Sequence, residues 1–333
     1  MSVRGQTTGE SRAGTQGAGA SPCPLCGGRE QREEERIRLA DLDHEYQRQL
    51  GVGVVSEFPA GTTEVELLRC LGCGLEFYQP GVAGSAAFYA ALGRNQHYYS
   101  TTRWEFTETL RRLPSVPDQL DLLDVGCGDG FFLSLVPGTR KRGLELNPDA
   151  VRRARARGLQ VQEGLLSAAA EGSADVVTLF QVLEHVPQPV GVLEDAVRVL
   201  RPGGRLFVAV PNNDGYMGYA LHDPLNAPPH HPLRWRGEAL RHVERVAPLV
   251  LEELLEEPLA PEHLFNYRRA RFVHGVSRLL GGRPLRYRVS LFTTLLRRLA
   301  NVWTMASLRL VPGRPTHPGS GASSLAVYRK RAG

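Results

Sequence analysis

The sequence predicts an α/β protein, a largely parallel sheet covered by helices on both faces, with a small cysteine-bearing module in front of it. Three observations lead there. Short apolar runs alternate with helix-length segments between Leu120 and Val210. One run closes on a glycine-rich turn, Gly126-Cys-Gly-Asp-Gly130. Two Cys-x-x-Cys pairs, Cys23/Cys26 and Cys70/Cys73, lie upstream.

Residues 1–21 are rich in Gly, Ser, Thr and Ala, with almost nothing large enough to build a core, and are expected to be a disordered leader. The two Cys pairs bracket a module over 22–85. Inside it a charged, helix-prone stretch runs through Gln49, a turn falls at Pro59-Ala-Gly61, and Thr63 to Leu68 alternates as a strand does. Residues 86–118 read as an aromatic-rich helical lid or linker containing Tyr98, Tyr99 and Trp104, stopped by Pro114 and Pro117.

The main domain is expected over 119–333. Strands are read at Leu120–Val125, Arg142–Leu146, Asp175–Phe180 and Gly204–Val210, and helices at Phe131–Val136, Pro148–Arg157 and Pro189–Leu200. A basic insertion at about 261–315 precedes a last strand at Ser323–Arg329.

Composition narrows the function. The 333 residues are 42% hydrophobic and 23% charged, an ordinary globular balance. No apolar run reaches the roughly 18–20 residues that span a bilayer, and no secretory signal is seen, so a cytoplasmic location is expected. The net charge of +5 is unevenly spread: no Asp or Glu follows His263. Such a tail suits an anionic surface or acidic substrate, or is simply a solvated face. It lacks a patterned aromatic face for stacking bases, which argues against nucleic acid.

The chemistry centres on Leu122-Leu-Asp-Val-Gly-Cys-Gly-Asp-Gly130. A strand enters a turn whose glycines allow close ligand approach, a helix follows, and Glu145 ends the next strand nineteen residues after Gly126. An acid there can accept both ribose hydroxyls of an adenosine ligand. A dinucleotide fits less well. Phe131 occupies the position of the third glycine of that fingerprint, and Asp124 and Asp129 add negative charge where pyrophosphate would sit.

At these residues the chain resembles the class I S-adenosylmethionine-dependent methyltransferases. The likeness continues through Gly143-Leu-Glu-Leu-Asn-Pro148, Asp175-Val-Val-Thr-Leu-Phe-Gln-Val-Leu-Glu-His185, Leu200-Arg-Pro-Gly-Gly-Arg-Leu206 and Pro211-Asn212. It implies a Rossmann-like sheet of seven strands, the last antiparallel, with S-adenosylmethionine lying across the strand ends. By that resemblance Asp124, Gly126, Gly128 and Gly130 line the methionine and ribose, Glu145 holds the ribose, and Leu146 flanks the adenine. Leu165, where many relatives carry an acid, packs on the adenine's other face, and Gln181 borders the sulfonium.

The four cysteines Cys23, Cys26, Cys70 and Cys73 suit a tetrahedral, structural zinc, each pair followed by a glycine for a tight knuckle. Redox dithiols are the alternative, but they lack the βαβ setting such chemistry uses. With this leader the chain resembles bacterial methyltransferases that act on small molecules, some of them on sugars at carbon.

A proton acceptor for the methyl acceptor is sought in Asn226-Ala-Pro-Pro-His-His-Pro-Leu-Arg-Trp235, where His230 and His231 sit in a proline-stiffened loop and are expected to titrate near neutrality. His185 is a weaker candidate base. All three also have a plain structural reading, as supports for their loops. The expected function is methyl transfer to oxygen or carbon of a small molecule, including a sugar or a lipid-linked intermediate. RNA or protein methylation, or cofactor binding without turnover, are the alternatives.

Overall fold

A computed structural model of the chain describes residues 21–93, 103–113, 120–138, 140–220, 223–279, 291–310 and 320–331. The expected leader at 1–20 and the tyrosines Tyr98 and Tyr99 lie outside the described residues.

The N-terminal part comprises β1 (Gln31–Arg38), α1 (Leu39–Leu50), β2 (Glu64–Cys70), β3 (Glu76–Gln79), α2 (Ala86–Leu92) and α3 (Trp104–Leu110). The main part follows with β4 (Leu122–Val125), α4 (Phe131–Leu135), β5 (Lys141–Glu145), α5 (Pro148–Ala156), β6 (Val161–Glu163), β7 (Ala174–Phe180), α6 (Pro189–Val199) and β8 (Leu200–Pro211). Beyond these come α7 (Tyr216–Tyr219), β9 (Leu233–Arg234), α8 (Gly237–Val246), β10 (Leu249–Glu256), α9 (Leu264–Leu279), α10 (Leu291–Leu310) and β11 (Ser323–Lys330).

The seven-stranded sheet runs β10-β11-β8-β7-β4-β5-β6. β4 pairs in parallel with β5 and β7, and β7 in parallel with β8. β11 is antiparallel to both neighbours, as the resemblance implies for the last strand. β4 is buried at every residue, because a central parallel strand is covered on both faces. Its order reverses between β4 and β7, which opens a crevice at their carboxyl ends.

Two sequence expectations change in the leader. The charged stretch expected to be helical starts as a strand: Gln31–Arg38 pairs antiparallel with Glu64–Cys70. Cross-strand charge pairing explains it, since Arg36 bridges Glu33, Glu64 and Glu66 and satisfies side chains that a helix would have turned to water. The leader sheet also does not end with its own residues. Its order is β1-β2-β3-β9, so a strand from beyond the main sheet's first five completes it.

The leader and the main sheet share one apolar cluster. Cys23, Leu25, Cys70, Cys73, Leu75 and Phe77 are buried in it together with residues of β4, β7, β8 and α8.

Candidate active site

The glycine turn is built as the sequence demands. Gly126, Gly128 and Gly130 all have left-handed φ angles, of 70, 53 and 74°. A Cβ on Gly126 would lie 2.8 Å from the side chain of Val182, so the residue is needed for space as well as conformation. Gly126 and Cys127 donate their amides to the Leu144 carbonyl, which ties the turn to β5.

Glu145 locks the same turn from the end of β5. Its Oε2 accepts the Gly128 amide at 2.8 Å, and its Oε1 accepts the amides of Leu146 and Asn147, both at 2.8 Å. Beside it two large apolar side chains stand in the open. Leu146 is 62% exposed after β5 and Leu165 is 59% exposed after β6, the neighbouring strand. The two leucines stand on adjacent strand ends, β5 pairing in parallel with β6.

Asp124 lies beneath the turn, buried, with Oδ1 accepting from the Thr178 hydroxyl at 2.6 Å. Burial, opposed by that one hydrogen bond, raises its pKa to about 7. Asp129 points the other way and pairs with Arg153 at 2.7 Å, so its charge is compensated at the surface.

Gln181 ends β7 with φ of 56°, a left-handed angle in a residue other than glycine. Its side-chain amide donates to Glu105 Oε1 at 3.1 Å and to Ser323 Oγ at 3.0 Å, which pins α3 and β11 to one point above the crevice. Trp104, expected in a lid, packs with Phe106 against the aromatic cluster of Phe132 and Phe180.

Four residues beyond Gln181 the two histidine motifs meet. His185, His230 and His231 stack against one another with ring centroids 4.3–4.7 Å apart. His185 Nδ1 donates to the His230 carbonyl at 2.8 Å, and His230 Nδ1 donates to the Leu225 carbonyl at 2.8 Å. The Tyr89 hydroxyl also donates to the His230 carbonyl. The expectation of titration near neutrality is corrected here. Burial pushes His185 down to about 4, and burial with mutual repulsion drives His230 and His231 well below the usual histidine range. All three are neutral imidazoles at physiological pH, and weak bases.

Residues 123–208 match the family model described as a methyltransferase domain. These residues carry a methyltransferase domain. Over 117 residues it is 36% identical to a ubiquinone biosynthesis O-methyltransferase of Xanthomonas oryzae pv. oryzae, a match covering 30% of this chain and 49% of the relative. The corresponding enzyme of Cupriavidus pinatubonensis is 33% identical over 104 residues, covering 28% and 42%. The chain thus spans about half the length of the curated relatives it matches. A methyltransferase structure from Archaeoglobus fulgidus covers 73% of this chain and all of its own at 16% identity, with a TM-score of 0.44.

In front of the methyltransferase domain the four cysteines gather as the sequence suggests. Cys23 and Cys73 sulfurs lie 3.5 Å apart, as do those of Cys26 and Cys70, and all four fall within 4.8 Å of one another. Gly27 and Gly74 take the left-handed conformation after each pair, and their amides return to the carbonyls of Cys23 and Cys70. Four thiols so close cannot all ionise unaided. Hydrogen bonding from Cys73 draws Cys23 down to about 5, while Cys73 is pushed up by the same contact.

Sequence reasoning missed four residues here: Glu184, Glu105, Arg103 and Tyr89. Glu184 is 1% exposed, and Glu105 is buried as well. Glu184 stood beside His185 in the motif, and a charged residue preceding a histidine at a strand end was the available signal. Tyr89 and Glu105 lie on the linker helices α2 and α3, and Arg103, paired with Glu105 at 3.7 Å, just precedes α3; no local pattern encodes their docking.

Proposed function

We propose that the chain transfers a methyl group from S-adenosylmethionine to an oxygen of a small-molecule acceptor. The observation that carries this reading is the left-handed Gly126–Gly130 turn held by Glu145 between the open leucines Leu146 and Leu165. The two leucines suit the faces of adenine, the Glu145 carboxylate suits the ribose hydroxyls, and Gly126 and Gly128 leave room for the methionine chain. Leu165 offers no acid to the adenine amino group, so that contact falls to backbone. Oxygen as the acceptor atom follows the name of the curated relatives.

Bound S-adenosylmethionine supplies a methyl carbon activated by positive sulfur. The chain's part is to align an acceptor with it and to receive or direct the acceptor's proton. Gln181, pinned to Glu105 and Ser323, is suited to hold the sulfonium side of the crevice. The neutral imidazoles of His185, His230 and His231 form the acceptor side, with His185 the most exposed of the three. As unaided bases they are weak, and Glu184 behind them is held up to about 8 by burial.

The four cysteines are read as a structural zinc site. Zinc–thiolate bonds of about 2.3 Å in a tetrahedron put sulfurs about 3.8 Å apart, close to what the 3.5 Å pairs already offer. The ion would fasten the two knuckles and take no part in the transfer. A cytoplasmic place of action belongs to the same proposal, consistent with five free thiols. Among the described residues no helix is long and apolar enough to cross a membrane.

The test is mass spectrometry of the protein incubated with S-adenosylmethionine and panels of phenols and sugars. A product heavier by one methylene, with S-adenosylhomocysteine in equal amount, is expected. Fragmentation assigns the methyl to oxygen or carbon. Absence of S-adenosylmethionine binding by calorimetry would overturn the reading.

A further inference from the structure

We propose that His185, His230 and His231 form a second metal centre, distinct from the four cysteines, that binds a divalent transition ion and offers it to an oxygen of the acceptor. Three features support it. One ring nitrogen from each histidine lies within 4.8 Å of the others, although His185 comes from the turn after β7 and the other two from the loop before β9. Those nitrogens must converge by up to about 1.5 Å to reach the spacing of about 3.3 Å that metal–nitrogen bonds of about 2.0–2.1 Å require in a tetrahedral site.

The second feature is the way the rings are held. His185 Nδ1 donates to the His230 carbonyl and His230 Nδ1 to the Leu225 carbonyl. A carbonyl can only accept, so a hydrogen on each Nδ1 satisfies both contacts and leaves the lone pair on each Nε2; the Tyr89 hydroxyl, 3.1 Å from His185 Nδ1, then donates to the His230 carbonyl. That tautomer, fixed by a backbone oxygen behind the ring, is how metal-binding histidines are oriented.

The third feature stands apart from the imidazoles. The Glu184 carboxylate is buried, and neither oxygen has a hydrogen-bond partner. Its Oε1 lies 4.0 Å from His185 Nε2. His231 Nδ1 is likewise buried without a partner. A buried carboxyl with nothing to bond is held in its neutral form, and a cation beside it would stabilise the ionised form instead. A divalent ion among the three imidazoles satisfies His231 and gives Glu184 a counter-charge together.

The donor set names the ion. Imidazoles with one carboxylate in reach suit Zn, Co, Ni or Fe(II) rather than Mg or Ca. Three protein nitrogens leave at least one position open, which is the pattern of catalytic rather than structural sites. His185 is the exposed member of the three, so the open position is reached from its side. An acceptor oxygen bound there becomes more acidic, which answers the weakness of the buried imidazoles as bases. This consequence rests on the proposed methyl transfer; binding of the ion does not.

The experiment is metal titration of the full chain with zinc already on its cysteines, followed by elemental analysis and Co(II) absorption. Wild type should hold two ions, the second showing weak d–d bands without thiolate charge transfer. His185→Gln and His231→Gln should each weaken the second ion by about 100-fold or more, and Glu184→Gln by about 10-fold. Each variant should keep the first ion and its affinity for S-adenosylmethionine, which shows that it folds. A second ion that is absent from wild type, or that survives both histidine variants, overturns the site. Ion binding with no methyl transfer to any acceptor would instead count against the proposed function and leave the metal centre standing.

Discussion

The sheet carries two additions, and they are attached in opposite ways. The leader is welded in. Its cysteines and Leu25, Leu75 and Phe77 share an apolar cluster with the central strands, and its own sheet is completed by β9. It also grips the histidine loop from several sides: Tyr46 donates to the Ala227 carbonyl at 2.8 Å, Gly84 to Pro229 at 2.8 Å, and Tyr78's amide to Pro232 at 3.0 Å. The helical insertion between β10 and β11 instead keeps a small core to itself, where Val273, Leu296 and Ala300 are buried. The contrast teaches that the leader braces the histidine loop, whereas the insertion meets the body through α7, where Tyr216 stacks on His263 and Tyr219 packs against Tyr267.

Removing the proposed zinc from the four cysteines should therefore give the largest effect. Structural zinc contributes on the order of 10 kcal/mol to small zinc modules. In this fused leader Cys70→Ser should cost at least about 3 kcal/mol in urea unfolding and abolish turnover. The glycine turn is tied by its amides to β5, so affinity for S-adenosylmethionine in the surviving folded protein should change by less than about threefold. Equal loss of both would mean that leader and cofactor turn are one unit, and the contrast would fail.

Glu145→Ala sharpens the same division from the other side. The substitution removes a carboxylate that holds three amides and stands ready for the ribose. Charge-assisted hydrogen bonds of this kind are worth about 2–4 kcal/mol together, so cofactor affinity should fall about 30- to 1000-fold. The leader's zinc and the histidine loop should be untouched, as read by metal content and by the second ion. Calorimetry showing unchanged affinity would remove Glu145 from the site.

How much of this was legible depends on where each signal resides. The cofactor half was legible because every part of it is local. Glycines at a strand end, an acid ending the next strand and apolar runs of strand length all act within a few residues of themselves. The β1 strand was misread because cross-strand partners for Arg36 lie about thirty residues away. The neutral state of the histidines was also hidden, since it comes from burial between segments that meet only after folding. β10 and its place beside β11 left no local mark of comparable strength.

Asp124 gives a smaller effect, on stability alone. Burial raises its pKa to about 7 from an ordinary value of 3.8. The folded state therefore keeps a proton that the unfolded chain releases, and stability falls as pH rises from about 4 to about 7. Asp124→Asn still accepts from Thr178 and has no proton to lose. Its urea midpoint should be flatter than wild type across that window. A parallel slope in both proteins would show that Asp124 does not titrate there.

The smallest effect on the fold is expected at the insertion. On α10 the residues Leu296, Ala300 and Thr304 are buried, while Leu295, Leu299, Val302 and Met305 are exposed in one stripe. Phe292, which the sequence adds to that stripe, lies outside the residues whose side chains are described. Arg298 and Arg309 are exposed on the same helix, and no acid follows His263. An apolar stripe beside arginines is the composition of a helix that rests on an anionic lipid surface, and we propose that it does so. Leu299→Glu with Val302→Glu should shift stability by no more than about 0.5 kcal/mol, since neither side chain is packed. The same pair should abolish flotation with vesicles rich in anionic lipid at low salt, and leave methyl transfer to a soluble acceptor unchanged. A wild-type protein that ignores those vesicles would end the docking proposal. A loss of several kcal/mol in the double variant would show that the stripe is covered by protein, and the insertion would then be as firmly built in as the leader.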